Sequence, residues 1–79
     1  MEIKRVFEVK QNGKWVEEFT NTDPGEVYKW LTDSLIAKKL NACQYIRTIK
    51  RENLYNGFQK ITVTYSNEYG GRSVFYVPN

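Results

Sequence analysis

The sequence predicts an α+β fold, in which one helix packs on one face of an antiparallel five-stranded sheet, in the chain order ββαβββ. Five short segments alternate apolar and polar side chains and are separated by clusters of turn residues. One longer segment after the second strand repeats apolar residues at helical spacing. With 79 residues, the chain is expected to form a single domain over residues 1–79.

The first two strands are predicted to form a hairpin. Residues 2–10 alternate between two faces, with Ile3, Phe7 and Val9 on one side and Lys4, Val6 and Glu8 on the other. Asn12 and Gly13 suit a tight turn because both tolerate positive φ angles. In the second strand, residues 14–20, we expect Trp15 and Phe19 to face the core and Glu18 to face solvent.

A helix is predicted over residues 24–40. Asp23 can cap its first turn, Pro24 suits the first helical position, and Glu26 should complete a capping box. Asn41 is expected to end the helix in the left-handed conformation, after basic residues at 38 and 39 that suit its carboxyl end. The buried stripe should consist of Val27, Trp30, Leu31, Ser34 and Leu35.

Three further strands, over residues 42–51, 57–65 and 72–77, should form a meander. In the middle strand Ile61, Val63 and Tyr65 are expected to face the core. In the segment 42–51 we expect Cys43, Tyr45, Arg47, Ile49 and Arg51 to face inward and Gln44, Ile46, Thr48 and Lys50 to face outward. Two strand orders, 2-1-3-4-5 and 2-1-5-4-3, keep every neighbouring pair antiparallel, and both stay open.

The residue inventory argues against catalysis. The chain has no histidine, which removes the commonest general base and metal ligand. Cys43 is the single cysteine, lacks companions for a zinc or redox site, and is expected to be a small core residue. Residues 69–72 (YGGR) lack the lysine of a phosphate-binding loop and are typical of a turn. We therefore expect no enzyme activity, no cofactor and no metal site.

The single cysteine also indicates a reducing compartment, so the cytoplasm is the expected location. No run of about eighteen apolar residues suggests a membrane span, and the alternating segment after Met1 does not resemble a signal peptide. Twelve basic and nine acidic side chains give a net charge of +3, which permits a polyanionic partner without requiring one.

One candidate binding surface is the sheet face turned away from the helix. Lysines and aromatic rings interleave there, and such a face could stack bases and neutralise phosphates. The alternative is an ordinary solvated sheet face. The candidate residues are Lys4, Lys50, Phe58 and Lys60, with Arg51, Tyr55 and Arg72 at the ends and turns.

A second candidate lies on the helix. Ile36 and Leu40 are one turn apart on the side opposite the buried stripe, where they could anchor a partner protein or a homodimer. The alternative is that the final turn packs under a loop or that the helix is rotated, either of which would bury them. The exposed edges of the sheet offer a third route, strand addition by a partner.

Together these features predict a small non-enzymatic protein-binding module, either an inhibitor or an adaptor, that acts by steric occlusion of another protein. Phages and other mobile elements encode proteins of this general kind, but no residue here specifies such an origin. The alternative function is nucleic-acid binding through the basic and aromatic sheet face. Either function is compatible with a monomer or a homodimer.

Overall fold

The computed structural model describes residues 2–40, 45–66 and 70–79. These residues form the strands β1 (Lys4–Gln11), β2 (Lys14–Asn21), β3 (Ile46–Asn53), β4 (Phe58–Tyr65) and β5 (Gly71–Pro78), with α1 (Pro24–Lys39) between β2 and β3. The α+β fold with ββαβββ order is therefore confirmed. The expectations for Asn41, Cys43 and Gln44 concern residues outside the described ranges.

The five strands form one antiparallel sheet in the order β2-β1-β5-β4-β3, which selects one of the two predicted orders. β5 lies at the centre, where Val74, Phe75 and Val77 are buried. Register places Phe75 and Val77 on the helix side of the sheet and Val74, between Val6 and Thr62, on the opposite side. β3, with the sequence IRTIKREN, is an edge strand, where charged side chains are readily solvated and discourage pairing with other chains.

The first turn of α1 is capped as predicted, but its hydrogen bonds differ from a capping box. The Oδ1 atom of Asp23 accepts a hydrogen bond from the backbone N–H of Gly25 at 3.3 Å. The backbone N–H of Asp23 binds Asn21 rather than Glu26, and the amide of Asn21 donates to the Glu26 carboxylate at 2.6 Å. Asn21 therefore links the end of β2 to the start of the helix.

The core lies between α1 and the half of the sheet formed by β5, β4 and β3. Its buried members are Val27, Leu31, Ile46, Ile61, Val63, Phe75 and Val77. Of the predicted helical stripe, Val27, Leu31 and Ser34 are buried and Leu35 is partly buried, whereas Trp30 remains half exposed. The inward orientation of Ile61 and Val63 is confirmed.

An irregularity in the pairing of β1 with β2 corrects the expectation for Trp15. Phe7 pairs with Phe19 but the next residue, Glu8, pairs with Glu17, so Glu18 is an extra residue in β2. A bulge of this kind reverses which residues face each side. Phe19 lies on the helix side of the sheet as predicted, whereas Trp15 pairs with Lys10 and lies on the opposite side.

A second irregularity, in β3, corrects the expectation for Ile46. Ile46 pairs with Tyr65 and Thr48 pairs with Thr64, which leaves Arg47 without a partner in the ladder. Ile46 therefore turns into the core, where it is 8% exposed, and Arg47 is exposed instead of facing inward. The expected outward orientation of Thr48 and Lys50 holds.

The helix leaves part of the sheet uncovered. Among the described residues, the buried core cluster includes side chains of α1, β3, β4 and β5 but none of the β1–β2 hairpin. On the helix side of that hairpin, Val16 and Phe19 are exposed and Phe7 and Val9 are partly buried. An open, largely apolar area therefore lies beside α1.

Within the described ranges, no helix has the length and apolar character needed to cross a membrane.

Candidate binding surfaces

The sheet face turned away from α1, called the open face below, carries charges of both signs. Strand register aligns Lys4, Tyr76, Lys60 and Glu52 in one row across β1, β5, β4 and β3. Lys50 and Thr62 lie in the adjacent row. Register assigns to this face the charged side chains Lys4, Glu8, Lys10, Glu17, Lys50, Glu52, Lys60 and Arg72.

Arg72, a predicted contact residue, is occupied within the protein. Its Nε donates to Oε1 of Glu8 at 2.6 Å in a partly buried ion pair. Its guanidinium carbon also lies 4.3 Å from the ring centroid of Trp15, which Lys10 approaches at 5.5 Å. The Trp15 ring and Glu8 therefore hold Arg72 in place, so less of its charge is available to a partner.

The structure brings only some of the other predicted residues together. The open face carries Lys4, Lys50, Phe58 and Lys60. The Nζ atom of Lys4 lies 5.1 Å from the centroid of the Tyr76 ring there. A polar cleft of about 340 Å³ is bordered by Lys50, Arg51, Lys60 and Arg72. Arg51 pairs with core residue Ile61 in the ladder, although it also borders this cleft. Tyr55 is fully exposed in the turn before β4.

Ile36 and Leu40 are exposed, at 51% and 68% of their surface. Leu40 is the C-cap residue of α1, and its backbone N–H bonds to the carbonyl of Ile36 at 3.0 Å. The helical phase expected from the sequence is thus correct for this pair. Both side chains are available for contacts outside the protein.

The most distinctive site lies on the helix side, beside the uncovered hairpin. Here a pocket of about 320 Å³, called the aromatic pocket below, is lined by Arg5, Phe7, Trp30, Tyr45 and Tyr65. The Phe19 ring stacks on the Phe7 ring, with 5.3 Å between their centroids. The centroid of the Tyr65 ring also lies 6.3 Å from that of Phe7. Phe19, Trp30 and Tyr45 are each about half exposed, so the rings form an open rim.

Arg5 is the charged group of this pocket and is only 8% exposed. Its guanidinium carbon lies 4.9 Å from the Trp30 ring centroid, 5.4 Å from that of Phe19 and 5.6 Å from that of Phe7. Its Nε donates to Oγ of Ser73 at 3.0 Å, and this Oγ also shares a 2.9 Å hydrogen bond with the Tyr65 hydroxyl. The guanidinium is therefore fixed in position by rings and by one hydrogen bond.

A second pocket of about 230 Å³ adjoins the aromatic pocket and shares Trp30, Tyr45 and Tyr65 with it. The two pockets together are called the helix-side groove below. On α1 the groove is bordered by Trp30, Asp33, Ser34 and Ala37.

Sequence reasoning missed Arg5 and misassigned Trp30. The alternation along β1 already assigns Arg5 to the inward face, because Arg5 shares the parity of Ile3, Phe7 and Val9. The helical wheel counted Trp30 as core because it lies at the edge of the apolar stripe. No pattern within α1 could reveal that β1 supplies a cation to this ring.

Comparison of the chain with protein-family models, curated proteins and solved structures found no match.

Proposed function

We propose that this protein is a non-enzymatic protein-binding module, an inhibitor or adaptor that occludes part of a partner protein, and that it binds through the helix-side groove. The observation that carries the proposal is the rim of half-exposed Phe19, Trp30 and Tyr45 around the buried Arg5. Tryptophan, tyrosine and arginine are the residues that most often dominate the energy of protein interfaces. Occlusion requires only complementary shape and charge.

The distribution of exposed apolar side chains supports the groove over the open face. Phe19, Trp30 and Tyr45 surround the aromatic pocket, and Ile36 and Leu40 are further exposed apolar side chains on α1. Leaving large rings in water forgoes the stabilisation of about 1.5–3 kcal/mol that burying such a side chain typically provides. A cluster of them on one side is typical of a contact site.

The proposed compartment is the cytoplasm, on the basis of the single cysteine in the sequence. The partner is proposed to be a different protein. A second copy of this chain would be detected as concentration-dependent dimerisation in sedimentation experiments.

Selection from a random-peptide library displayed on phage tests the proposal. We expect peptides selected on the wild-type protein to bind Trp30→Ala about tenfold or more weakly, because the ring is a central part of the rim. The double variant Ile36→Asp with Leu40→Asp should also weaken peptides that extend along α1. Circular dichroism should show that both variants keep the wild-type fold.

The matched control is Lys50→Ala with Lys60→Ala, which changes the open face and leaves the groove intact. Peptides that bind this control as well as the wild-type protein support the proposal. Failure to select any peptide, or peptides that lose affinity only for the lysine variant, would contradict it.

Nucleic-acid binding through the open face is the second candidate function. It is supported by Lys4, Lys50 and Lys60 on one uncovered face that also carries the Tyr76 ring. The interleaved Glu8, Glu17 and Glu52, however, reduce the attraction of this face for phosphates. Gel shifts with mixed oligonucleotides at two salt concentrations test it, because phosphate-driven affinity falls steeply with salt; no shift at low salt would exclude it.

A further inference from the structure

The surroundings of Arg5 leave one edge of its guanidinium group available. The rings of Phe7, Phe19 and Trp30 lie within 5.6 Å of the guanidinium carbon, and Ser73 occupies the Nε edge. An arginine side chain has five N–H donors, of which four belong to the two terminal nitrogens. Among the described residues, these terminal nitrogens have no hydrogen-bond acceptor.

Arg5 also lacks a counter-ion in the described part of the chain. The ion pair found there joins Arg72 to Glu8 on the opposite face of the sheet. A largely buried charge is ordinarily paired with an opposite charge, since removing it from water is costly. The three rings offset part of this cost, at about 0.5–2 kcal/mol for each favourable cation–π contact.

Arg5 borders accessible space. No fully buried side-chain nitrogen or oxygen in the described ranges lacks a hydrogen-bond partner, so an Arg5 terminal nitrogen without one is not fully buried. Arg5 lines the aromatic pocket, which provides about 320 Å³ of space. A planar guanidinium edge in such a pocket suits a carboxylate, whose two oxygens can accept parallel hydrogen bonds.

We propose that the aromatic pocket receives a glutamate or aspartate side chain from the partner protein, with Arg5 as its receptor and the surrounding rings as the contact for apolar residues on either side. This inference rests on the proposed function and specifies the chemistry of the segment that the groove accepts. Aromatic walls exclude water around the new ion pair, which strengthens it relative to an exposed pair.

The shape of the site favours a protein segment over a free small anion. The aromatic pocket continues into the second pocket, which is lined by Ala37 and Ile46 as well as by the shared rings. A free carboxylate would cover only the area around Arg5 and leave the remaining exposed rings in water. The net charge of +3 also favours an acidic segment.

Two capped tripeptides of nearly identical shape test the inference: N-acetyl-Leu-Glu-Leu-amide and N-acetyl-Leu-Gln-Leu-amide. Each is titrated into the ¹⁵N-labelled protein, and the Arg5 Nε–H and Trp30 indole N–H signals are followed by NMR. We expect the glutamate peptide to shift both signals and to bind about tenfold or more tightly than the glutamine peptide, because only the former offers a charged acceptor. Equal affinity of the two peptides would overturn the inference.

Sodium acetate is the control for a free anion. If acetate at equal concentration shifts the Arg5 signal as much as the glutamate peptide, the pocket is a small-anion site and the inference is wrong. Arg5→Gln should remove the preference for glutamate, whereas Arg51→Gln removes the same charge from an exposed position and should retain it. If Arg5→Gln does not fold, Trp30→Ala is used in its place. Unchanged affinity of Trp30→Ala for the glutamate peptide would contradict the inference.

These outcomes separate the inference from the proposed function. Equal binding of both tripeptides in the groove removes the carboxylate requirement and leaves the protein-binding role intact. If neither tripeptide binds, the inference is overturned, while the library selection still decides whether the groove binds peptides.

Discussion

Ser73 connects the binding pocket to the stability of the fold. It is fully buried in β5, and its Oγ binds both the Arg5 Nε and the Tyr65 hydroxyl. This small network fixes the guanidinium edge beside the aromatic pocket without a carboxylate from the described part of the chain. Because a fixed donor loses little entropy on binding, the network also prepares Arg5 for a ligand.

At this scale we predict that Ser73→Ala destabilises the protein by about 1–3 kcal/mol, since it leaves a buried charged donor without its acceptor. The measurement is urea unfolding, with a lower midpoint and an unchanged slope. Ser66→Ala is the matched control, because the Ser66 side chain is only partly buried and makes no hydrogen bond within the described ranges. Equal stability of both variants would show that the network contributes nothing.

Only part of this residue-scale picture was accessible from the sequence. Alternation along β1 assigns Arg5 to the helix side, and helical spacing assigns Trp30 to the border of the buried stripe. Their contact depends on how α1 is positioned over β1, which no local pattern specifies. Exposure of Ile36 and Leu40 was predictable because it depends on helical phase alone.

At the scale of elements, the turn and cap residues in the sequence predict the ends of the strands and of the helix to within a few residues. Asn12 and Gly13 have φ angles of 51° and 78°, as the hairpin prediction requires. The two bulges were not predictable, because one extra residue in a strand leaves no mark on composition. Each bulge changed the face of an apolar residue, Trp15 in one case and Ile46 in the other.

Close packing where β5 begins leads to a second prediction. A Cβ atom at Gly71 would lie 2.7 Å from Cζ of Phe7 and 3.1 Å from the carbonyl oxygen of Glu8. We expect Gly71→Ala to displace the Phe7 ring, which lines the aromatic pocket, and to destabilise the protein by about 1–3 kcal/mol. Thermal and urea unfolding measure the change.

The same substitution at Gly25, in the first turn of α1, provides the control. There the nearest atom to an added Cβ is the Asp23 Oδ1 at 3.8 Å, an ordinary contact. Gly25→Ala should be neutral or stabilise by up to about 1 kcal/mol, since alanine favours the helix. A loss of stability at Gly25 comparable to that at Gly71 would contradict the packing explanation.

At the scale of the whole molecule, the groove follows from a mismatch in width. An α-helix with its side chains is about 10–12 Å across, whereas five strands about 4.8 Å apart span about 19 Å between the outermost strands. One helix therefore cannot cover the sheet. The predicted element count already implies an uncovered area, but its location depends on the strand order, which the sequence left open.

The bulge in β2 places the two tryptophans on opposite faces of the sheet. Trp30 lies on the rim of the aromatic pocket, and Trp15 lies on the open face under Arg72. The two indole groups therefore report on opposite faces of one small protein. Their NMR signals can be assigned with the single variants Trp15→Phe and Trp30→Phe.

The most direct test of the groove is the response of these two indole N–H signals to the peptide most strongly enriched by selection on the wild-type protein. We expect a saturable change in the chemical shift of the Trp30 signal and an unchanged chemical shift of the Trp15 signal. A shift of Trp15 with an unperturbed Trp30 would mean that binding occurs on the open face, and would contradict this expectation.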